Sequence, residues 1–197
     1  FEAPNEFTDQ STIPQGNIAT WSWDFDDSNT SSLGSPFHTY GMEGQYDVTL
    51  EIESDSGCTS TVTHQVNVYP YPDPAFEADV LDGCMPLDVQ FTDQSTISSG
   101  VVASWLWKFG DNNTSTEQFP LNTYQNSGTY DVTLTLVSDQ GCDTSITLSD
   151  YITVYPLPTA DFGFTPEAAS VFNPTIDFFD QSLGADSAII YTVGDGN

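Results

Sequence analysis

Apolar and polar residues alternate along most of this chain, which is the period of an extended strand with one buried face. Over residues 129–138, Tyr130, Val132, Leu134 and Leu136 point one way while Asp131, Thr133 and Thr135 point the other. The same alternation occurs earlier, with Tyr46, Val48, Leu50 and Ile52 set against Asp47, Thr49, Glu51 and Glu53. Further strands are predicted over 75–78, over 87–92 with Leu87, Val89 and Phe91 on one face, and over 103–109. A shorter one is expected over 114–119, ended by Pro120, and a final strand or broken pair over 142–155 after a turn at Asp139-Gln140-Gly141. No segment keeps a helical period for even two turns.

The pattern also repeats. Trp21-Ser22-Trp23-Asp24-Phe25-Asp26-Asp27-Ser28-Asn29 returns as Trp105-Leu106-Trp107-Lys108-Phe109-Gly110-Asp111-Asn112-Asn113, and in both copies three aromatics at i, i+2 and i+4 share one strand face before a polar turn. Phe7-Thr8-Asp9-Gln10-Ser11-Thr12 recurs letter for letter at 91–96, 84 positions later. A third copy starts with Phe178-Phe179-Asp180-Gln181-Ser182, and its aromatic strand carries Ile189 and Tyr191 in place of the tryptophans. Proline-rich joints, Tyr69-Pro70-Tyr71-Pro72 and Tyr155-Pro156-Leu157-Pro158, separate the units, and such joints are stiff. The expected organisation is residues 1–70, a unit without its opening strand; 71–156, a complete unit; and 157–197, the start of a third. Units cut at both ends suggest a window on a longer polypeptide. Roughly seven short strands in about 85 residues, with no helix, predict an all-β chain of immunoglobulin-like sandwiches in tandem, arranged as an elongated array.

Composition narrows the partners. One basic residue against 29 acidic ones gives a formal charge of −28, which argues against nucleic acid and anionic membranes. No apolar run is long enough for a spanning helix, so no direct membrane insertion is expected. A hydrophobic content of 38% is too rich for a disordered acidic tail.

At this point the motifs resemble a known family. Phe-Thr-Asp-x-Ser, then Trp-x-Trp-x-Phe-Gly-Asp, then Gly-x-Tyr-Asp-Val-Thr-Leu and Gly-Cys are similar to the polycystic kidney disease (PKD) repeat domain. Trp107-Lys108-Phe109-Gly110-Asp111-Asn112 and Trp23-Asp24-Phe25-Asp26-Asp27-Ser28 carry the hallmark, with Thr192-Val193-Gly194-Asp195-Gly196 a third version. Lys108, Asp26 and the missing tryptophan near Tyr191 depart from it. The Gly-Cys variant resembles tandem arrays of Bacteroidetes-type bacteria, which implies an extracellular or cell-surface location, type IX export and roles in adhesion or gliding motility. Cys58 is the repeat copy of Cys142. In that setting a Cys84–Cys142 disulfide is expected, with three unrelated buried thiols as the alternative.

The candidate chemistry is sparse. Trp23, Trp107, Phe25, Phe109, Tyr46 and Tyr130 are read as core, although exposed Trp105 and Trp107 could stack on sugars. Asp24, Asp26, Asp27 and Asp111 are candidate calcium ligands, yet EF-hand spacing fails at Asn29 and Ser35, and a turn aspartate bonding its own backbone accounts for Asp27 and Asp111. No cofactor is assigned. Asp9, Asp93 and Asp180 are read as turn caps. Ser187, within Asp186-Ser187-Ala188, matches a short O-glycan acceptor, and Asn29 and Asn113 fit the N-glycan pattern. His38 and His64 have non-histidine counterparts, and no nucleophile, metal or phosphate motif is found, so the chain is read as non-catalytic. The leading expectation is a stalk or spacer in a large surface adhesin or filament, contacting neighbouring repeats and surface polysaccharide or proteins. The alternative is a set of accessory modules of a secreted polymer-degrading hydrolase.

Overall fold

The computed structural model describes residues 5–165 and 176–183, and every regular element among them is a β-strand. In the first repeat these are β1 (Asn5–Glu6), β2 (Ile18–Asp24), β3 (Thr30–Ser31), β4 (Phe37–His38), β5 (Gly44–Ser54) and β6 (Thr59–Val68). Four of them form a sheet in the order β3-β2-β5-β6, and β1 pairs with β4. The register sets Trp23 opposite Leu50 and Trp21 opposite Ile52, so the i, i+2 aromatics share a face with the apolar positions of β5. Phe7, just past β1, brings its ring within 5.9 Å of Trp23 and 5.1 Å of Phe25, joining the two sheets. Outward-facing positions are polar, with Thr49 and Thr63 hydroxyls 2.9 Å apart across β5 and β6.

The second repeat contains β7 (Phe76–Ala78), β8 (Asp82–Cys84), β9 (Leu87–Asp93), β10 (Val102–Lys108), β11 (Thr114–Ser115), β12 (Leu121–Tyr124), β13 (Gly128–Ser138) and β14 (Asp143–Tyr155). A five-stranded sheet, β11-β10-β13-β14-β8, faces a three-stranded one, β12-β9-β7. Phe76 and Phe91 of the smaller sheet lie 5.1 and 5.6 Å from Trp107 of the larger, each such ring pair adding about 0.5–1.5 kcal/mol beyond area burial. Trp107, Phe91, Val89, Val132, Leu134 and Leu136 are all fully buried. In the third repeat β15 (Phe162–Thr165) pairs antiparallel with β16 (Asp177–Asp180). Ser187, Ile189, Tyr191 and Asp195 lie outside the described residues.

Two elements differ from the expectation. The strand over 114–119 is only two residues long, and a four-residue strand begins directly after Pro120. That strand lies at the edge of its sheet, where a preceding proline removes no ladder donor. The second is β8, three residues too short to show alternation, which joins β14 in parallel through Asp82–Cys84. Tyr46 and Tyr130 sit half-buried at the rim of the core, not inside it, and their hydroxyls donate to the Met42 and Asn126 carbonyls.

Counterpart tyrosines behave differently. The Tyr124 hydroxyl donates to the Phe109 carbonyl at 3.1 Å, whereas the buried Tyr40 hydroxyl has no protein partner. Burial, and then the charges of Asp27 and Asp26 and the Tyr46 phenol, push the Tyr40 phenol up to about 12, so it stays a neutral, unsatisfied group. Tyr40→Phe is therefore expected to be neutral or stabilising by up to about 1 kcal/mol, while Tyr124→Phe costs about 1 kcal/mol. Urea unfolding monitored by tryptophan fluorescence separates the two. Equal losses in both variants would contradict the assignment.

Candidate functional site

In the first two repeats the strand-to-turn motif is held by many specific contacts. Trp107 is 0% exposed and its indole N–H donates to the Glu117 carbonyl at 2.9 Å; the Trp23 indole does the same to Leu33 at 3.0 Å. With Phe109 lying 6.3 Å away and nearly parallel to Trp107, neither face of that indole is open to a sugar. Trp105 and Trp21 are half-buried, and the Trp21 indole donates to the Asp9 carboxylate at 2.7 Å.

The turn that follows is left-handed at Gly110, φ +84°, where a Cβ would lie 2.7 Å from the Asp131 carbonyl oxygen. At the equivalent position Asp26 adopts φ +62° and uses its carboxylate to accept from the Asp47 amide at 3.0 Å. Aspartate tolerates that region better than most side chains. Asp111 closes the second turn by accepting from the Asn113 amide at 2.9 Å and, through its other oxygen, from the Asn113 and buried Asn122 side-chain amides at 2.8 and 3.0 Å. In the first repeat Asp27 accepts from the Asn29 amide at 3.0 Å, and its second oxygen meets His38 Nε2 at 2.8 Å. His38 stands where the second repeat has Asn122, stacked on Phe25 with centroids 4.1 Å apart. Sequence reasoning missed this substitution of one donor for another. Its signal is the shared 11-residue separation from the turn aspartate.

The acidic candidates of the first turn each have a local partner. Asp24 accepts from the Asp26 amide at 3.0 Å, so Asp24, Asp26 and Asp27 each point at a different donor. Among the described residues no three His, Cys, Asp or Glu side chains come together to hold a metal. Asp9 and Asp180 accept from the Ser11 and Ser182 amides, both at 2.8 Å, as turn caps do.

The expected Cys84–Cys142 bridge is corrected by the sheet. Cys84 lies opposite Tyr155, at the C-terminal end of β14, whereas Cys142 immediately precedes its N-terminal end. A strand of 13 residues extends roughly 40 Å, against the roughly 4–7 Å between Cα atoms that a disulfide requires. Cys58, Cys84 and Cys142 are all free thiols.

A feature that the sequence did not disclose is a groove in the first repeat, about 500 Å³ in volume. It is lined by the stretch from Glu6 to Ser11 together with Trp23, Leu50, Val62 and Val66. Val62 is 45% exposed there. His64 also lines this groove, on a different strand from His38.

Paired sheets with inward aromatics, Asx-closed turns and no helix among the described residues define a tandem array of immunoglobulin-like sandwich modules. The family profile of the PKD domain matches residues 3–69 and 67–154, and the chain belongs to that family. It is 44% identical over 59 residues to a microbial collagenase of Vibrio alginolyticus, a match covering 30% of this chain and 7% of that protein. It is 30% identical over 156 residues to collagenase ColQ1 of Bacillus cereus strain Q1, covering 76% of this chain and 15% of that protein. The solved PKD1 domain of the Vibrio cholerae metalloprotease PrtV is 34% identical with a TM-score of 0.37, the match covering 44% of this chain and 98% of that domain. The chain thus spans less than a sixth of either collagenase.

Burial pushes the Asp27 carboxyl up, but hydrogen bonds from Asn29 and His38 outweigh it and hold it below its ordinary value of 3.8. A depressed folded-state pKa contributes stability above the unfolded value, and that contribution is lost as pH falls through the folded one. Asp27→Asn is therefore expected to lower the urea midpoint at pH 7, with the deficit closing below about pH 4. A deficit that stays constant down to pH 2.5 would exclude an ionised Asp27 as the turn's fastener. For the cysteines, thiol titration of the unreduced chain in denaturant should find all three sulfurs reactive, and a value of one would restore the bridge.

Proposed function

We propose that these repeats are accessory, polymer-contacting modules of a secreted protein-degrading hydrolase. The observation that carries this reading is the 30% identity to a collagenase over 76% of the chain. It supports the accessory-module expectation over the surface adhesin or filament, and neither the fold nor the relatives support type IX export or gliding motility. On this reading the chain works outside the cell, its repeats divide near residues 70 and 156, and the catalytic groups belong to another part of the polypeptide. His38 is engaged in holding a turn.

The polymer would be met by outer surfaces, since the Trp23 and Trp107 rings are buried. Among the apolar positions exposed in both repeats is Phe37 at 63% with its counterpart Leu121 at 61%, on β4 and β12. A large apolar side chain left in water at the same place twice is a reasonable anchor for a protein polymer. Co-sedimentation with insoluble collagen fibrils tests this. The 197-residue chain is expected to be retained, and the double variant Phe37→Ser, Leu121→Ser to be retained at least about fivefold less with unchanged stability, because exposed positions shift stability by only about 0.5 kcal/mol. No retention on collagen, or equal retention of both proteins, would count against the proposal.

A further inference from the structure

In the second repeat the outer face of the small sheet, β12-β9-β7, carries apolar and acidic side chains but no basic one. Along residues 119–124 exposure alternates: Phe119 at 53% and Leu121 at 61% face outward, while Pro120, Asn122 and Tyr124 are buried. Two large apolar side chains at i and i+2 therefore share one side of the edge strand. They are also held in place. Gln90 lies opposite Leu121, and its side-chain amide donates to the Phe119 and Pro120 carbonyls, both at 3.0 Å, while the Phe91 amide donates to Pro120 at 2.9 Å. A surface fixed beforehand loses little entropy when it is covered.

Carboxylates border that apolar pair. Val89 and Phe91 point into the core, so Asp88, Gln90 and Thr92 point out, and Glu77 sits opposite Thr92 on β7. Asp88 accepts from the Thr123 hydroxyl, and Asp79 accepts from the Gln90 amide at 2.9 Å. These donors are neutral, and Glu77, Asp79 and Asp88 are all exposed. Lys108, the single residue in the lysine and arginine count of the sequence, is on β10 in the other sheet. The face thus receives no cation from its own sheet.

We propose, resting on the reading of these repeats as polymer-contacting modules, that this face docks an extended cationic segment of a protein polymer, in which lysine or arginine lies between prolines or other apolar residues. The apolar groups cover Phe119 and Leu121. The stem of the lysine or arginine crosses Gln90 and Thr92, and its head meets Asp88, Asp79 or Glu77, β7 lying about 10 Å from β12. Charge selects against other occupants: a second copy of this chain carries the same −28, and an anionic polysaccharide is repelled likewise.

The test uses a soluble peptide of about 12 residues built from proline, leucine and lysine, and its twin with glutamine for lysine, each titrated into the ¹⁵N-labelled 197-residue chain. The lysine peptide is expected to shift the amides of Gln90, Leu121 and Thr123, its affinity falling at least about fivefold between about 50 and about 500 mM salt, and the glutamine twin to bind at least about tenfold more weakly. Glu77→Gln combined with Asp88→Asn should remove most of that salt dependence. Phe119→Ser should weaken the lysine peptide at least about fivefold, with thermal melts of all variants nearly unchanged because every replaced side chain is exposed. Shifts confined to other surfaces, equal binding of the two peptides, or a homodimer built on this face would overturn the assignment. Retention on collagen without shifts here would overturn it too, while leaving the polymer reading in place. Shifts here without retention on collagen would support the cationic site and count against collagen as the polymer.

Discussion

One contact organises the first two repeats: an inward-facing tryptophan of the sandwich strand packed against a phenylalanine from the opposite sheet. Trp107 meets Phe91 and Phe76, and Trp23 meets Phe7. Because strand side chains alternate, fixing Trp107 inward also fixes Phe109 inward and leaves Leu106 and Lys108 outside. A one-residue slip would expose both rings and unpair the indole N–H from Glu117, so the register has no competitor of similar energy.

The turn after that strand shows how the same geometry is kept by different chemistry. At one position Gly110 lets the Asp131 backbone approach, while Asp26 fills the space and bonds the corresponding amide. At another, a buried asparagine or a stacked histidine satisfies the second oxygen of the turn aspartate. The acidic composition is less hostile than a charge of −28 suggests, because many carboxylates serve as acceptors for backbone amides at turns. An anion that accepts such bonds is stabilised locally, and the surrounding water screens the rest.

In the second repeat two short strands complete the edges of the sheets. Covering the Phe91–Asp93 edge with β7 brings the second core to full burial, and the parallel β8 extends the larger sheet beyond β14. These additions are short strands next to prolines, and they act by supplying one aromatic side chain and a few backbone bonds at an otherwise open side. The outer faces stay polar, with threonine pairs at Thr49–Thr63 and Thr133–Thr147.

Much of this was legible in the chain itself. The period of Tyr130, Val132, Leu134 and Leu136, the i, i+2, i+4 aromatics and the 84-residue recurrence determined strands, buried faces and tandem modules, since each is a local consequence of side-chain alternation. Only the tertiary structure decided what depends on which strands become neighbours. Cys84 and Cys142 look like partners in sequence, yet the parallel placement of β8 puts them at opposite ends of β14. The pairing of His38 with Asp27, the edge strand behind Pro120 and the groove beside Phe7 are likewise products of cross-strand placement. Local periodicity states which way a side chain points, but the contact it makes is set by a strand dozens of residues away.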